Sequence, residues 1–160
     1  LVASDVDPVL FAAHMADGVD KVGDGITLYE SSRDRALDLS ARILRRSRLG
    51  QILKRPLPPG VADYLRQHPD VVLVDVSEAE DIEVGNGHAY FRQSPWVSSD
   101  LLMTLRYRAA PGDRGLVRKE DGVIWTFPDS YERDVTGIIY RLNPALRAEV
   151  QSMGWNAEPN

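Results

Sequence analysis

Along this chain the apolar positions switch repeatedly between the three-to-four spacing of helices and short continuous runs, an order that predicts alternating strands and helices. Leu1 to Ser4 is a short apolar run, and Asp5-Val6-Asp7-Pro8 reads as a turn leading into a helix start. Val9, Leu10, Ala13, Ala16 and Val19 then predict a helix from Pro8 to about Lys21, broken by Gly23-Asp24-Gly25. Ile26-Thr27-Leu28-Tyr29 has the β-branched and aromatic content of a strand. From Arg35, the positions Ala36, Leu37, Ala41 and Leu44 mark an amphipathic helix whose other face carries Arg42, Arg45, Arg46 and Arg48. Three prolines and a glycine make Arg55 to Gly60 a loop, and a short helix follows over Val61 to Gln67. Val71 to Val76 is the strongest strand, nearly continuous in β-branched residues, as expected where helices cover both faces of a sheet.

The pattern then loosens. Ser77 to Gly87 is an acidic loop, followed by His88, aromatic-rich sequence and a helix from about Ser98 to Tyr107. Ala109 to Gly122 reads as a charged loop, and Val123 to Phe127 as either a short strand or an apolar strap over the sheet. Asp129 to Leu142 predicts a helix, and Asn143-Pro144 supplies a cap and first turn for another over Ala145 to Met153. Strands alternating with helices predict an α/β fold with a parallel sheet and right-handed crossovers.

Composition narrows the function classes. The 160 residues are 43% hydrophobic and 27% charged, which is globular rather than disordered. Nineteen Lys and Arg against 24 Asp and Glu leave a formal charge of −5, contrary to a broad nucleic-acid surface. With no cysteine, disulfides, thiolate nucleophiles and thiolate metal sites are excluded. No run approaches the roughly 20 apolar residues of a membrane span. A soluble protein of the cytoplasm or the periplasm is expected. Residue 1 is Leu rather than Met, and a strand starting on it suggests that a segment upstream is missing.

In open parallel sheets the functional groups gather beyond the carboxyl ends of the strands. Acids follow the first two strands here, and His88 follows the third. An acid followed by a histidine on successive strand ends is the second half of the order Ser, Asp/Glu, His of α/β-hydrolases, in which the histidine is the general base and the carboxylate orients it.

Three segments, Leu1 to Asp7, Ile26-Thr27-Leu28-Tyr29-Glu30-Ser31-Ser32-Arg33-Asp34-Arg35-Ala36-Leu37 and Gly87-His88-Ala89-Tyr90-Phe91, resemble an esterase/lipase-like branch of bacterial α/β-hydrolases catalogued as a domain of unknown function. The resemblance covers roughly the first 105 residues. It implies that Asp34 is the catalytic acid and His88 the general base. It also implies that residues 1–108 are the C-terminal part of a mostly parallel hydrolase sheet with flanking helices, and that 109–160 form a helical extension packed on the same domain. The nucleophile elbow Gly-x-Ser-x-Gly of such enzymes is absent from these 160 residues. The implied partner is therefore the protein's own N-terminal half, in the same polypeptide or a second chain. The implied substrate is a small-molecule or lipid ester, with no cofactor, no metal, no nucleic acid and no membrane span. A homo-oligomer or a larger assembly is compatible with this reading.

Other assignments compete with these. Asp5 and Asp7 are substitutes for the acid, although Asp7 before Pro8 is also explained as a helix cap. Asp34 has a plain alternative as a first-turn carboxylate favoured by the helix dipole. Ser31 and Ser32 lack a glycine-flanked elbow and read as turn residues. Glu78, Glu80, Asp81 and Glu83 lack the spacing of a calcium loop. His14 and His68 read as surface or packing residues, and the arginines at 45, 46 and 48 as a solvated face. Tyr90, Phe91 and Trp96 are candidates either for an acyl pocket or for the core. The alternative to an enzyme is a non-catalytic hydrolase-derived subunit retained for its surfaces.

Overall fold

The computed structural model describes residues 11, 13–15, 17–21, 23–32, 57, 59–79 and 94–154. Residues 11 and 13–15 are helical, a 3-10 turn spans Val19–Lys21, and Gly25 at φ 138° leads into strand β1, Ile26–Glu30. A Cβ on Gly25 would stand 2.8 Å from the carbonyl oxygen of Asp70, so only glycine admits the close approach in which Ile26 N donates to that oxygen. Helix α1, Pro59–Gln67, precedes strand β2, Val71–Asp75, and helix α2 is Pro95–Tyr107. Beyond a 3-10 turn at Gly112–Arg114 come strands β3, Val117–Arg118, and β4, Ile124–Thr126, then helices α3, Tyr131–Leu142, and α4, Pro144–Ser152.

The described strands form one sheet in the order β1-β2-β4-β3. β2 pairs in parallel with β1, Leu28 opposite Leu73, and in parallel with β4, Leu73 opposite Ile124; β3 closes the sheet antiparallel to β4. The segment 123–127 is therefore a strand and not a strap. Its pairing also means that residues after 108 contribute two strands to the sheet in addition to two helices.

The two faces of β2 explain its uninterrupted apolar run. On one face Leu28, Leu73, Val123 and Ile124 pack with Phe11, Leu57 and with Ala62 and Leu65 of α1. On the other, Tyr29, Val74 and Val76 meet Val97 and Met103 of α2 and Tyr131 and Ile138 of α3. In α3 the residues Tyr131, Val135, Ile138, Ile139 and Leu142 recur at helical spacing and form the stripe that faces this core. The 3-10 turn ends at Gly115, φ 89°, where a Cβ would collide with Ile138 Cδ1. α2 starts earlier than the periodicity suggests: Ser94 caps it by accepting from Val97 N, and Pro95 fills the first turn. Asn143 caps α4 by accepting from Leu146 N and donates from Nδ2 to Tyr107 Oη, joining that end of the chain to α2.

A buried polar cluster locks the second core. Asp100 on α2, 0% exposed, accepts from Tyr29 Oη at 2.7 Å and from Arg114 Nε at 2.8 Å. Arg114 is 2% exposed and also donates from Nη1 to Ala109 O. Thr104 Oγ1 donates to Asp100 O and lies 2.9 Å from Tyr29 Oη. Burial pushes the Asp100 carboxyl above the usual carboxylate range, against the pull of the Arg114 guanidinium and the hydrogen bonds from Tyr29 and Arg114. Burial, reinforced by the charge of Asp100, likewise raises the phenols of Tyr29 and Tyr131.

Breaking a buried ion pair from one side leaves the other charge unmatched, so Arg114→Met alone should destabilise the protein by about 3–5 kcal/mol. Replacing Tyr29, Asp100 and Arg114 together by Phe, Leu and Met should bring stability back toward wild type, as read from urea midpoints. A triple variant less stable than the single one would show that the network is favourable in its own right. The raised phenols give a second expectation. The folded state holds their protons more tightly, so their contribution is complete below about pH 10, the ordinary tyrosine value, and is lost as the pH rises above it. Of the six tyrosines, Tyr29 and Tyr131 should produce phenolate absorbance only together with unfolding.

Candidate functional site

The parallel strands β1, β2 and β4 end side by side, with Glu30, Asp75 and Thr126 in register across their carboxyl ends. Alternation along the strands puts these three on the same face as Leu28, Leu73 and Ile124, the face covered by α1. Glu30, Ser31, Asp75 and Ser77 are all buried, an unusual density of polar side chains at the end of an apolar sheet.

Asp75, 4% exposed, organises the edge. Its Oδ1 accepts from Ser77 N at 2.9 Å, bending the chain into the turn that leaves β2. Its Oδ2 accepts from Lys119 Nζ at 2.6 Å, and its carbonyl oxygen accepts from Thr126 Oγ1 at 3.1 Å. Val76 N donates to Glu30 O, continuing the β1-β2 ladder one step beyond the strands. Ser77 then reaches back to the neighbouring strand end: its Oγ accepts from Ser32 N at 2.8 Å and lies 2.9 Å from Ser32 Oγ, which donates to it.

Lys119 arrives from the turn between β3 and β4. Asp121 Oδ1 accepts from both Val123 N and Ile124 N, Lys119 N donates to Ile124 O, and Gly122 takes φ 71°. Arg118 covers the Trp125 ring at 4.3 Å and donates to Gly122 O. Asp121-Gly122 is a turn signal, but the charged Arg118-Lys119-Glu120 before it hides the short strand β3, and only the pairing of β4 with β2 brings Lys119 within reach of Asp75. A groove of about 890 Å³ lies between this hairpin and α1, lined by Leu57, Ala62, Asp63, Arg66, Lys119 and Asp121 among others.

Of the residues expected to carry chemistry, Asp34, His88, Asp5 and Asp7 lie outside the described residues, as do Glu80, Asp81, Glu83, Tyr90, Phe91 and the arginines at 45, 46 and 48. Ser32 follows β1 in a turn, held by Ser77. Trp96 is a core residue: it packs against Phe127 and Tyr131, with ring centroids 6.0 and 5.7 Å away. His14 is exposed on the first helical segment, while His68 stacks on Tyr64 at 4.0 Å with Nδ1 against the Tyr64 carbonyl. Glu78 is exposed, and among the described residues no group of three or more His, Asp or Glu is arranged to hold a metal ion. No helix among them is long and apolar enough to cross a membrane. Asp75, Ser77 and Lys119 were not singled out by spacing, since Asp75 ends an apolar strand and Lys119 sits in a charged loop.

Residues 1–106 match the family described as an alpha/beta hydrolase of unknown function (DUF900). Comparison with curated proteins and with solved structures gave no match. The matched part holds β1, α1, β2 and most of α2, and its parallel strands covered by helices on both faces are the architecture that such a family requires. The chain belongs to this alpha/beta hydrolase family of unknown function.

Proposed function

We propose that the intact protein is a serine-type ester hydrolase of the carboxylesterase or lipase kind, with Asp34 as the orienting acid and His88 as the general base. Family membership supports hydrolysis in general. The observation that carries the finer reading is the bond between the two strand ends: Ser32, two positions before Asp34, is tied to Ser77, eleven positions before His88. An acid and a base that must act on one another need their loops to leave the sheet close together, and these hydrogen bonds bring the roots of both loops into contact.

Because no Gly-x-Ser-x-Gly occurs in the 160 residues, the nucleophile in this proposal comes from an N-terminal part of the enzyme, joined in the same polypeptide or supplied as a second chain. The histidine takes the serine proton as the hydroxyl attacks the ester carbonyl, then returns it to the departing alcohol. The second half of the cycle repeats this with water. The substrate is a small-molecule or lipid ester.

In the intact protein His88→Ala and Asp34→Asn should each lower ester turnover by about 10²–10⁴-fold without altering the unfolding midpoint. A fluorophosphonate probe should label one serine in a Gly-x-Ser-x-Gly peptide. Undiminished turnover in the His88 variant would remove His88 from the mechanism. An intact protein that resists the probe under conditions where active hydrolases are modified would instead favour a non-catalytic, hydrolase-derived subunit.

A further inference from the structure

The residues that hold the end of β2 come from beyond the family match. Lys119 and Thr126 both follow residue 106, yet both bond to Asp75, the last residue of β2, which lies inside the match. The hairpin that carries them is itself fixed, by the parallel pairing of β4 with β2 and by the Asp121 turn. Asp75 in turn fixes Ser77 through its backbone N–H, and Ser77 fixes Ser32 at the end of β1. Lys119, Thr126, Asp75, Ser77 and Ser32 thus form a chain of hydrogen bonds, through side chains and backbone groups, from the hairpin to the ends of both strands.

The chemistry of this path is suited to positioning. A carboxylate buried at a strand end requires a partner for each oxygen, and here one is taken by the turn amide and the other by an ammonium. Lys119 keeps 41% of its side chain exposed, so its charge is partly solvated while it neutralises Asp75. Without Lys119, Asp75 Oδ2 would keep a buried negative charge with no counter-ion, and the favoured response is to turn toward solvent and release Ser77 N. Ser77 Oγ is the junction, since it receives both Ser32 N and Ser32 Oγ.

We propose that the β3-β4 hairpin is a positioning element of the hydrolase site, in which Lys119 and Thr126 hold Asp75 so that Ser77 sets the loop leading to His88 against the loop leading to Asp34. This rests on the reading of Asp34 and His88 given above. It gives the segment after residue 106 a role in the reaction, and it makes Lys119 and Ser77 positioning residues, since neither touches a reacting atom. Their effect is on the alignment of acid and base. Misplacement of catalytic groups by about 1 Å costs on the order of 100-fold in rate, whereas substrate binding remote from those groups is left intact.

The test is ester kinetics on the intact protein for wild type, His88→Ala, Lys119→Met, Lys119→Arg, Ser77→Ala and Arg118→Met, each with its unfolding midpoint. Lys119→Met and Ser77→Ala should lose about 10–100-fold in kcat with KM within about twofold of wild type. Lys119→Arg should recover most of the lost rate, because it restores a cation within reach of Asp75. Arg118→Met, on the same hairpin but bonded to Gly122 and Trp125, leaves the Lys119 and Thr126 bonds to Asp75 in place and should lose clearly less kcat than Lys119→Met. If Lys119→Met fails to fold, Ser77→Ala carries the comparison alone. Wild-type kcat in Ser77→Ala and in a folded Lys119→Met overturns the proposal while leaving the hydrolase reading standing, and so does an equal loss in Arg118→Met. A wild-type protein with no turnover, or one unaffected by His88→Ala, overturns both.

Discussion

Asp100 accepts hydrogen bonds from two directions inside a core that offers it no water, and the packing around it follows from that demand. A carboxylate with essentially no exposed surface is tolerable only if both oxygens are matched and its charge is opposed. The match comes from Tyr29 on β1 and from Arg114 in the turn that follows α2. One side chain therefore ties a strand, a helix and the start of the C-terminal segment together, and those three pieces cannot shift independently. Arg114 reaches Asp100 because the chain doubles back at residues 109–115, a path that needs Gly115 where Ile138 leaves no space for a Cβ. The same turn delivers the chain to β3, and hence to the hairpin at the far side of the sheet.

This cluster has the most perturbed titratable groups among the described residues, a feature that in a cleft would point to catalysis. Its burial argues the other way. Tyr29, Asp100 and Arg114 are at most 2% exposed, so no ester could reach them. Arg114 Nη2 and Tyr131 Oη have no hydrogen-bond partner among the described residues, and a buried ion pair gains little net stability once the desolvation of both charges is counted. The cluster thus favours one arrangement of the elements over others while adding little net stability. A second group of buried polar side chains, Glu30, Asp75 and Ser77, lies apart from this cluster at the carboxyl ends of β1 and β2.

Much of the fold is legible in the sequence because its strong elements obey one rule each. The run from Val71 to Val76 is apolar on both faces, which only a strand covered on both sides requires, and β2 lies between two parallel neighbours. Asn143-Pro144 states the start of α4 in two residues, and the structure places the cap there. Periodicity is less informative at boundaries: the start of α2 was set by Ser94 and Pro95, residues that carry no apolar signal. The hairpin was harder still. β3 has two residues, too few to show alternation, and the register of β4 against β2 is a long-range contact that no local pattern encodes. The site is legible to the same degree. Strand-end logic points to the carboxyl edge of the sheet and to the neighbourhood of Ser32, but Asp75 and Lys119 are 44 residues apart and meet only after the sheet has formed.

In the β1-β2 pair alone, Asp75 Oδ2 would lack its ammonium and β2 would lack the ladder that β4 supplies. Adding β4 satisfies both at once, because the strand that supplies the missing ladder also carries Thr126, and its turn carries Lys119. An exposed edge on a strand as apolar as β2 would otherwise invite pairing with another chain. β3 then ends the sheet with two exposed residues, one of them Arg118, folded over Trp125. Charge at a short edge strand discourages further strands from adding there. The segment beyond the family match thus gives β2 its second neighbour, neutralises its strand-end acid and ends this side of the described sheet in a short charged edge.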